Sequence, residues 1–129
     1  MKRYAIVAAA AALLATLPIG CSTGAPRPAI ISHVVFVVLQ DPADFDELIA
    51  DSDATLAHIP GVVSYAAGPP LDSGRENVTA DYDLGITIGF KSEEAYSGYV
   101  THPAHTALVA RWQPRLTALR IYDFVDPTP

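Results

Sequence analysis

The sequence contains little cysteine and little positive charge. Its 129 residues include one cysteine, Cys21, so the chain can form no internal disulfide, no Cys-x-x-Cys redox motif and no cysteine-cluster metal site. Lysine occurs only as Lys2 and Lys91. Eight Lys and Arg residues stand against 14 Asp and Glu residues, a formal net charge of −6. Such an acidic chain lacks the basic surface that binds phosphate backbones, which excludes nucleic acid as a partner.

Short motifs that mark several enzyme classes are also missing. The sequence has no Gly-rich phosphate loop, no Gly-x-Ser-x-Gly elbow and no His-Glu-x-x-His motif. His33, His102 and His105 could be combined into a metal site, but no sequence-paired carboxylate accompanies them. We therefore predict that the protein holds no metal ion and no cofactor.

Apolar residues, which make up half of the chain, are concentrated near its N-terminus. Lys2 and Arg3 precede an apolar stretch over residues 4–17, and small residues follow it. This arrangement is typical of a secretory signal, and the stretch is shorter than the roughly 20 apolar residues that span a membrane. We predict that residues 1–20 are a signal peptide and that the protein is exported.

The cysteine lies where an exported chain would be cleaved. The run Leu17-Pro18-Ile19-Gly20-Cys21 resembles a bacterial lipobox, although Pro18 stands where that pattern usually has leucine. The resemblance implies a lipoprotein that touches the membrane only through a lipid on Cys21. Cleavage after Thr23-Gly24-Ala25 is the alternative and would give a periplasmic or secreted protein. Residues 21–29, which include two prolines and several small residues, are predicted to be a flexible tether.

Residues 30–126 are predicted to form one domain. Runs of β-branched residues predict strands, and capping residues followed by apolar residues at helical spacing predict helices. The predicted strands are residues 30–39, 62–67, 82–90 and 119–125, with one helix after Asp41-Pro42, a second after Ser92 and a third from Pro103. This βαββαβ order predicts an α+β, ferredoxin-like fold, in which helices cover one face of a four-stranded antiparallel sheet.

The first predicted strand is apolar on both of its faces. Residues 30–39 therefore make the sheet partly apolar on the face that carries no helix. A monomer would leave that face in water, which predicts a homodimer in which two sheets pack face to face. Such a pairing makes a dimeric α/β barrel with a cavity for a small apolar ligand.

The strand predicted over residues 82–90 has one bare face, that is, a face without large side chains. Gly85 and Gly89 lie on that face, which indicates a bend or the close approach of another segment. The opposite face carries the large residues Tyr82, Leu84, Ile86, Ile88 and Phe90.

Several segments resemble a known family. They are Ser32-His33-Val34-Val35-Phe36, Ile59-Pro60-Gly61-Val62, Tyr99-Val100-Thr101-His102-Pro103-Ala104-His105 and Tyr122-Asp123-Phe124. Together they resemble the stress-responsive A/B barrel domain, also called Dabb, over about residues 30–126. The Tyr-x-x-His-Pro-x-His string is the most specific of them. The resemblance implies a dimeric α+β barrel of the ferredoxin-like kind, and some members of the family serve stress responses.

The resemblance also implies site residues. In a plant member that cyclises polyketides by an intramolecular aldol reaction, the tyrosine and the final histidine of this string are the acid/base pair. They correspond to Tyr99 and His105. A histidine that matches His33 lines the cavity of the family. That cyclase has Tyr-Thr-His where this chain has Tyr82-Asp83-Leu84, so one cavity histidine is missing here.

Two interpretations of these residues differ in function. In the first, the protein binds a small apolar ligand or serves stress tolerance, and the ligand site includes His33, His102 and Tyr82. The rings of His102 and His105 then bond to free carbonyl groups at helix ends. In the second, the protein is a cofactor-free lyase or cyclase. A neutral His105 then abstracts a proton next to a carbonyl group, and the Tyr99 hydroxyl holds the enolate oxygen. The missing cavity histidine favours the first interpretation.

Overall fold

The computed structural model describes residues 24–128. The predicted signal peptide, residues 1–20, and the predicted lipidation site, Cys21, lie outside the described residues. Within residues 24–128, no helix combines the length and the apolar character that crossing a membrane requires.

Four strands form one antiparallel sheet, and three α-helices pack on one of its faces. The strands are β1 (Ile31–Leu39), β2 (Val62–Gly68), β3 (Leu84–Phe90) and β4 (Leu116–Val125), and the helices are α1 (Phe45–Thr55), α2 (Glu93–Val100) and α3 (Pro103–Trp112). The strand order is β2-β3-β1-β4, so β1 is central and antiparallel to both of its neighbours. The predicted α+β, ferredoxin-like fold is confirmed.

The helices begin where the capping residues predict. Asp41 accepts a hydrogen bond from the backbone N–H of Ala43 at 2.9 Å and starts a 3₁₀ turn, Pro42–Asp44, that leads into α1. Ser92 accepts a hydrogen bond from the backbone N–H of Ala95 at 3.1 Å and starts α2. Both side chains satisfy N–H groups that the first turn of a helix leaves without a partner.

Alternate residues of β1 face the helices. His33, Val35 and Val37 are at most 9 % exposed, whereas the residues between them, on the open face of the sheet, are partly exposed. The core between sheet and helices is completed by apolar residues from the other elements: Leu48, Leu56, Ile59, Leu84, Ile86, Ile88, Phe90, Tyr99 and Trp112. His33, Val35 and Tyr99, which belong to the segments that carry the family resemblance, therefore lie under the helices.

The two glycines of β3 accommodate close neighbours on the open face. A Cβ atom on Gly89 would lie 2.2 Å from Oγ of Ser64 and 2.6 Å from Cβ of Ala29. One on Gly85 would lie 3.3 Å from the ring of Tyr82. The bare face of this strand thus permits close approach by β2, by the segment before β1 and by an aromatic ring.

The predicted alternation over residues 82–90 is wrong at its start. The strand begins at Leu84, and the ring of Tyr82 packs against that of Phe36 on the open face of the sheet, with the ring centroids 4.7 Å apart. Asp83 breaks the alternation, because its carboxylate accepts a hydrogen bond from the Leu39 backbone at 2.7 Å. Both carboxylate oxygens of Asp81 accept hydrogen bonds from Arg120 at 2.8 Å. These contacts fix the end of the β2–β3 loop to β1 and β4.

The segment before β1 is exposed but attached to the domain. Residues 24–28 have no regular secondary structure. The guanidinium of Arg27 donates two hydrogen bonds of 2.6 Å to the carboxylate of Asp126, just after β4. Part of the predicted tether is therefore paired with the C-terminal end of the domain.

Candidate functional site: a cavity under the helices

A cavity of about 100 Å³ lies between the sheet and the helices. Its polar wall contains His33 from β1, Tyr99 from α2 and His105 from α3. The rest is mainly apolar and includes Val35, Val37, Leu48, Leu56, Ile86, Ile88, Leu108, Val109, Trp112, Leu119 and Ile121. The expected barrel cavity lies between two sheets, but this one lies inside a single protomer. The difference arises because the odd-numbered residues of β1 face the helices.

His33 is buried and held by a carboxylate. Its Nδ1 atom lies 2.6 Å from Oδ1 of Asp123, the residue directly opposite on β4. The other oxygen of Asp123 accepts a hydrogen bond from the Tyr96 hydroxyl at 2.8 Å. Burial, the largest single influence, acts to raise the pKa of Asp123, but the bonds from His33 and Tyr96 and the charge of His33 together lower it. The ionised carboxylate therefore fixes the ring of His33 through Nδ1.

Tyr99 and His105 lie side by side in this wall. Their ring centroids are 4.6 Å apart, and Tyr99 is 1 % exposed. The Nδ1 atom of His105 donates a hydrogen bond of 3.0 Å to the carbonyl oxygen of Val100, at the end of α2. Burial lowers the pKa of His105, and His33 and His102 add to this effect, whereas the bond to Val100 opposes it. Burial also raises the pKa of Tyr99, which keeps its hydroxyl protonated.

His102 has a different position from the other two histidines. Its Nδ1 atom accepts a hydrogen bond from the Ala104 backbone at 3.2 Å and so caps the start of α3. The expectation that this ring bonds carbonyl groups at a helix end is wrong, because the free groups at a helix start are N–H donors. His102 does not line the cavity, although it belongs to the same sequence string as Tyr99 and His105.

Tyr82 also lies away from the cavity. Its ring is on the open face of the sheet, where Phe36 and Tyr122 surround a separate depression together with Asp81 and Arg120. The structure thus brings together His33, Tyr99 and His105, and it separates both His102 and Tyr82 from them.

One side of the cavity opens between α3 and the edge strand β4. Val109, Leu119 and Ile121 line it there, and they are 37 %, 44 % and 50 % exposed. All three side chains are apolar, so the entrance itself favours apolar molecules.

Asp123 and Trp112 are two residues of this site that the sequence reasoning missed. Asp123 lies in the Tyr122-Asp123-Phe124 string, where the only acidic residue of the last strand, between two aromatic residues, was the available signal. Trp112, the one tryptophan of the chain, is 3 % exposed and donates a hydrogen bond of 2.9 Å from Nε1 to Asp51. The guanidinium of Arg115 covers its ring at 4.0 Å. This packing makes Trp112 a rigid part of the cavity wall.

Within residues 24–128, no three His, Cys, Asp or Glu side chains lie close enough together to hold a metal ion. The polar groups of the cavity can donate and accept hydrogen bonds.

Solved structures share this fold along nearly their whole length. A dimeric ferredoxin-like protein from Thermobifida fusca is 25 % identical with a TM-score of 0.62, and the match covers 74 % of this chain and 90 % of that protein. A Dabb family protein from Mesorhizobium loti is 25 % identical with a TM-score of 0.65, covering 76 % and 97 %. A hydroxynitrile lyase from Passiflora edulis is 17 % identical with a TM-score of 0.66, covering 80 % and 99 %, which is a likeness of fold.

Among curated proteins, none is significantly similar to this chain. The family model described as the stress responsive A/B barrel domain matches residues 31–126, which include all four strands and all three helices. The chain therefore belongs to the stress-responsive A/B barrel domain family.

Proposed function

We propose that this protein is an exported, homodimeric barrel protein that binds a small, mainly apolar molecule under the helices of each protomer. The observation that carries the proposal is the composition of the cavity wall. Three polar rings, those of His33, Tyr99 and His105, stand together at one part of a wall that is otherwise mainly apolar. Ligand sites commonly combine an apolar lining with a few convergent polar groups in this way.

The homodimer is supported by the surface of β4. Tyr122 and Phe124 are both 57 % exposed on the open face of the sheet. The charged residues of β4 are already partnered, since Arg120 pairs with Asp81 and Asp123 bonds to His33. An acidic chain can meet a second copy at such a surface without bringing unpaired like charges together. The Thermobifida fusca relative is itself dimeric.

Export is supported by the sequence at residues 1–21. We propose that Cys21 carries a lipid that holds the domain at a membrane. Replacing Cys21 with serine should move the protein from the membrane fraction to the soluble fraction of the producing cell. Membrane retention of Cys21→Ser would contradict the lipid anchor.

Binding in the cavity is testable with benzene as a probe. The indole N–H signal of Trp112 in a ¹H–¹⁵N NMR spectrum reports on the cavity wall, because the chain has one tryptophan. Benzene should shift this signal in a saturable way. Leu108→Phe fills part of the cavity and should weaken benzene binding about tenfold, a change of about 1.4 kcal/mol.

The matched control is Ala107→Phe, which adds a ring to an exposed position of the same helix. It should leave benzene binding unchanged. If benzene does not bind the parent protein, or binds Leu108→Phe as tightly as the parent, the proposed ligand site is wrong.

A second candidate function, proton transfer on a carbonyl compound, is favoured by the hydrogen bond between His105 and Val100. This bond leaves a lone pair on Nε2 of a neutral ring, which suits a general base. Nε2 would take a proton from the carbon next to the carbonyl group, and the Tyr99 hydroxyl would hydrogen-bond to the enolate oxygen. In D₂O the protein should then exchange the α-protons of acetone, and both His105→Ala and Tyr99→Phe should lose this activity. Exchange at the buffer rate with the parent protein would exclude it for this substrate.

A further inference from the structure

The tautomer of His105 determines what its second ring nitrogen offers to the cavity. A carbonyl oxygen accepts hydrogen bonds and cannot donate them, so the Nδ1 atom that bonds to Val100 carries the proton. In a neutral ring, Nε2 then has a lone pair and no hydrogen. Since burial lowers the pKa of His105, the ring is neutral at pH 7. His105 is therefore a hydrogen-bond acceptor in the cavity wall.

The ring of Tyr99 lies beside that of His105 in the cavity wall. The two rings are 4.6 Å apart, and both line the cavity. A protonated phenol can both donate and accept a hydrogen bond. One hydroxyl group on a ligand matches this pair, because it can donate its hydrogen to Nε2 of His105 while it accepts the hydrogen of Tyr99.

A carbonyl or ether oxygen matches the pair less well. Such an oxygen accepts the hydrogen bond from Tyr99 but has no hydrogen to give to His105. The Nε2 atom would then be enclosed by the ligand without a partner, and a polar atom left unpaired in apolar surroundings is costly.

The volume enclosed by the apolar part of the wall limits the size of the apolar part of the ligand. The cavity volume is about 100 Å³, and an engineered cavity of about 150 Å³ in another protein binds benzene. Because this cavity also opens toward Ile121 on β4, which is 50 % exposed, a body the size of one six-membered ring can be accommodated.

We propose that the cavity selects a compact apolar molecule that carries one hydroxyl group, in preference to a carbonyl or ether compound of the same size. The proposal rests on the ligand-binding function proposed above and names the chemical class of that ligand. The residues that set the preference are His105, as the acceptor, and Tyr99, as its neighbouring hydroxyl.

Cyclohexanol and cyclohexanone test this preference directly, because they share a ring and a number of heavy atoms and differ in the hydroxyl donor. Dissociation constants for both can be measured at pH 7.5 from the Trp112 indole signal. The parent protein should bind cyclohexanol about tenfold more tightly than cyclohexanone, the ratio that one additional hydrogen bond provides.

His105→Asn is the variant that isolates the acceptor. Its amide N–H group can still donate to Val100, but the Nε2 lone pair is gone, so the preference for the alcohol should fall to about twofold or less. The control His58→Asn removes an exposed imidazole outside the cavity and should keep the full preference. If His105→Asn does not fold, Tyr99→Phe provides a second variant, in which the alcohol loses one of its two partners and binds more weakly.

The outcomes separate this proposal from the one on which it depends. If benzene binds but the parent protein prefers the ketone or shows no preference, the hydroxyl selectivity is wrong and the ligand site stands. A preference that persists in His105→Asn also overturns the role of His105. If benzene, cyclohexanol and cyclohexanone all fail to bind, both proposals are wrong.

Discussion

Nδ1 of His33 lies 2.6 Å from Oδ1 of Asp123, and the two residues face each other across adjacent strands of the sheet. His33 is 5 % exposed, whereas the side chain of Asp123 is 41 % exposed. The carboxylate thus joins a buried ring in the cavity wall to the solvent-facing side of the edge strand. The Tyr96 hydroxyl holds the carboxylate from α2, so three elements meet at this group.

Asp123→Ala should destabilise the fold, because it leaves the buried Nδ1 atom of His33 without an acceptor. We expect a loss of about 1–2 kcal/mol in the free energy of unfolding, toward the lower end of such effects since Asp123 is partly solvated. Urea denaturation followed by circular dichroism measures the change. Asp123→Asn keeps an acceptor oxygen and should lose less, and equal stability of Asp123→Ala and the parent would show that the bond contributes nothing.

Mild acid should lower the stability of the protein through His105. The pKa of His105 in the folded state lies below its ordinary value of 6.5, so between these two values the unfolded chain binds more protons than the folded chain. Stability is therefore highest above pH 6.5 and falls as the pH drops through this window. The melting temperature, measured between pH 8 and pH 5, should decline less steeply for His105→Asn than for the parent.

This acid effect can be separated from that of the carboxylates. Asp123 has a pKa below its ordinary value of 3.8, so its contribution is lost only in stronger acid, below about pH 4. A His105→Asn variant whose melting temperature follows the same curve as the parent between pH 8 and pH 5 would contradict the assignment to His105.

Gly89→Ala should be strongly destabilising, because the new methyl group would collide with Ala29 and Ser64. Moving these neighbours apart should cost about 1–3 kcal/mol, as is typical of overpacking. Gly98→Ala is the matched control, since nothing lies within 4 Å of a Cβ atom there and the residue is inside α2. It should increase stability by up to about 1 kcal/mol through helix propensity. Thermal denaturation of both variants measures the contrast, and a neutral Gly89→Ala would show that this contact is loose.

Phe124→Glu should convert the proposed dimer into a monomer. The side chain is 57 % exposed in one protomer, so the change should leave the fold intact while it places a carboxylate from each copy at the shared surface. Sedimentation velocity gives the mass in solution, and circular dichroism checks the fold. Thr106→Glu, on the exposed side of α3, should remain dimeric. A parent protein that sediments as a monomer would contradict the homodimer.

The sequence was sufficient to predict the fold, because local signals agree with one another along the chain. Asp41 and Ser92 cap the helices that their positions predict, and the double-sided apolar run over residues 30–39 forms the central strand. Each of these signals depends on neighbours within a few residues. Such local preferences are readable without knowledge of the tertiary structure.

The grouping of the candidate residues was predicted in part. His33, Tyr99 and His105 do lie together, but Tyr82 was placed on the wrong face of the sheet. The chain leaves the strand at Asp83 because that carboxylate bonds to Leu39, which is 44 residues away in the sequence. Contacts with residues that are distant in the sequence determine the direction of a side chain at a strand end. The alternation of apolar and polar residues along a strand carries no information about such contacts.

Asp123 was missed for a related reason. Its pairing with His33 depends on the register between the first and the last strand, over a separation of 90 residues. Strand register follows from the packing of the whole sheet. The sequence therefore shows that Asp123 is present in the last strand but does not show that it pairs with His33.

The position of β1 in the sheet has a consequence for the order in which the protein folds. Its two neighbours are β3, which begins at Leu84, and β4, which begins at Leu116, whereas β1 ends at Leu39. During synthesis β1 is therefore made before either of its partner strands, and its pairing is complete only after the last strand of the domain has been made. Pairings between such distant segments form slowly, because a long loop must close before any contact compensates for the lost entropy.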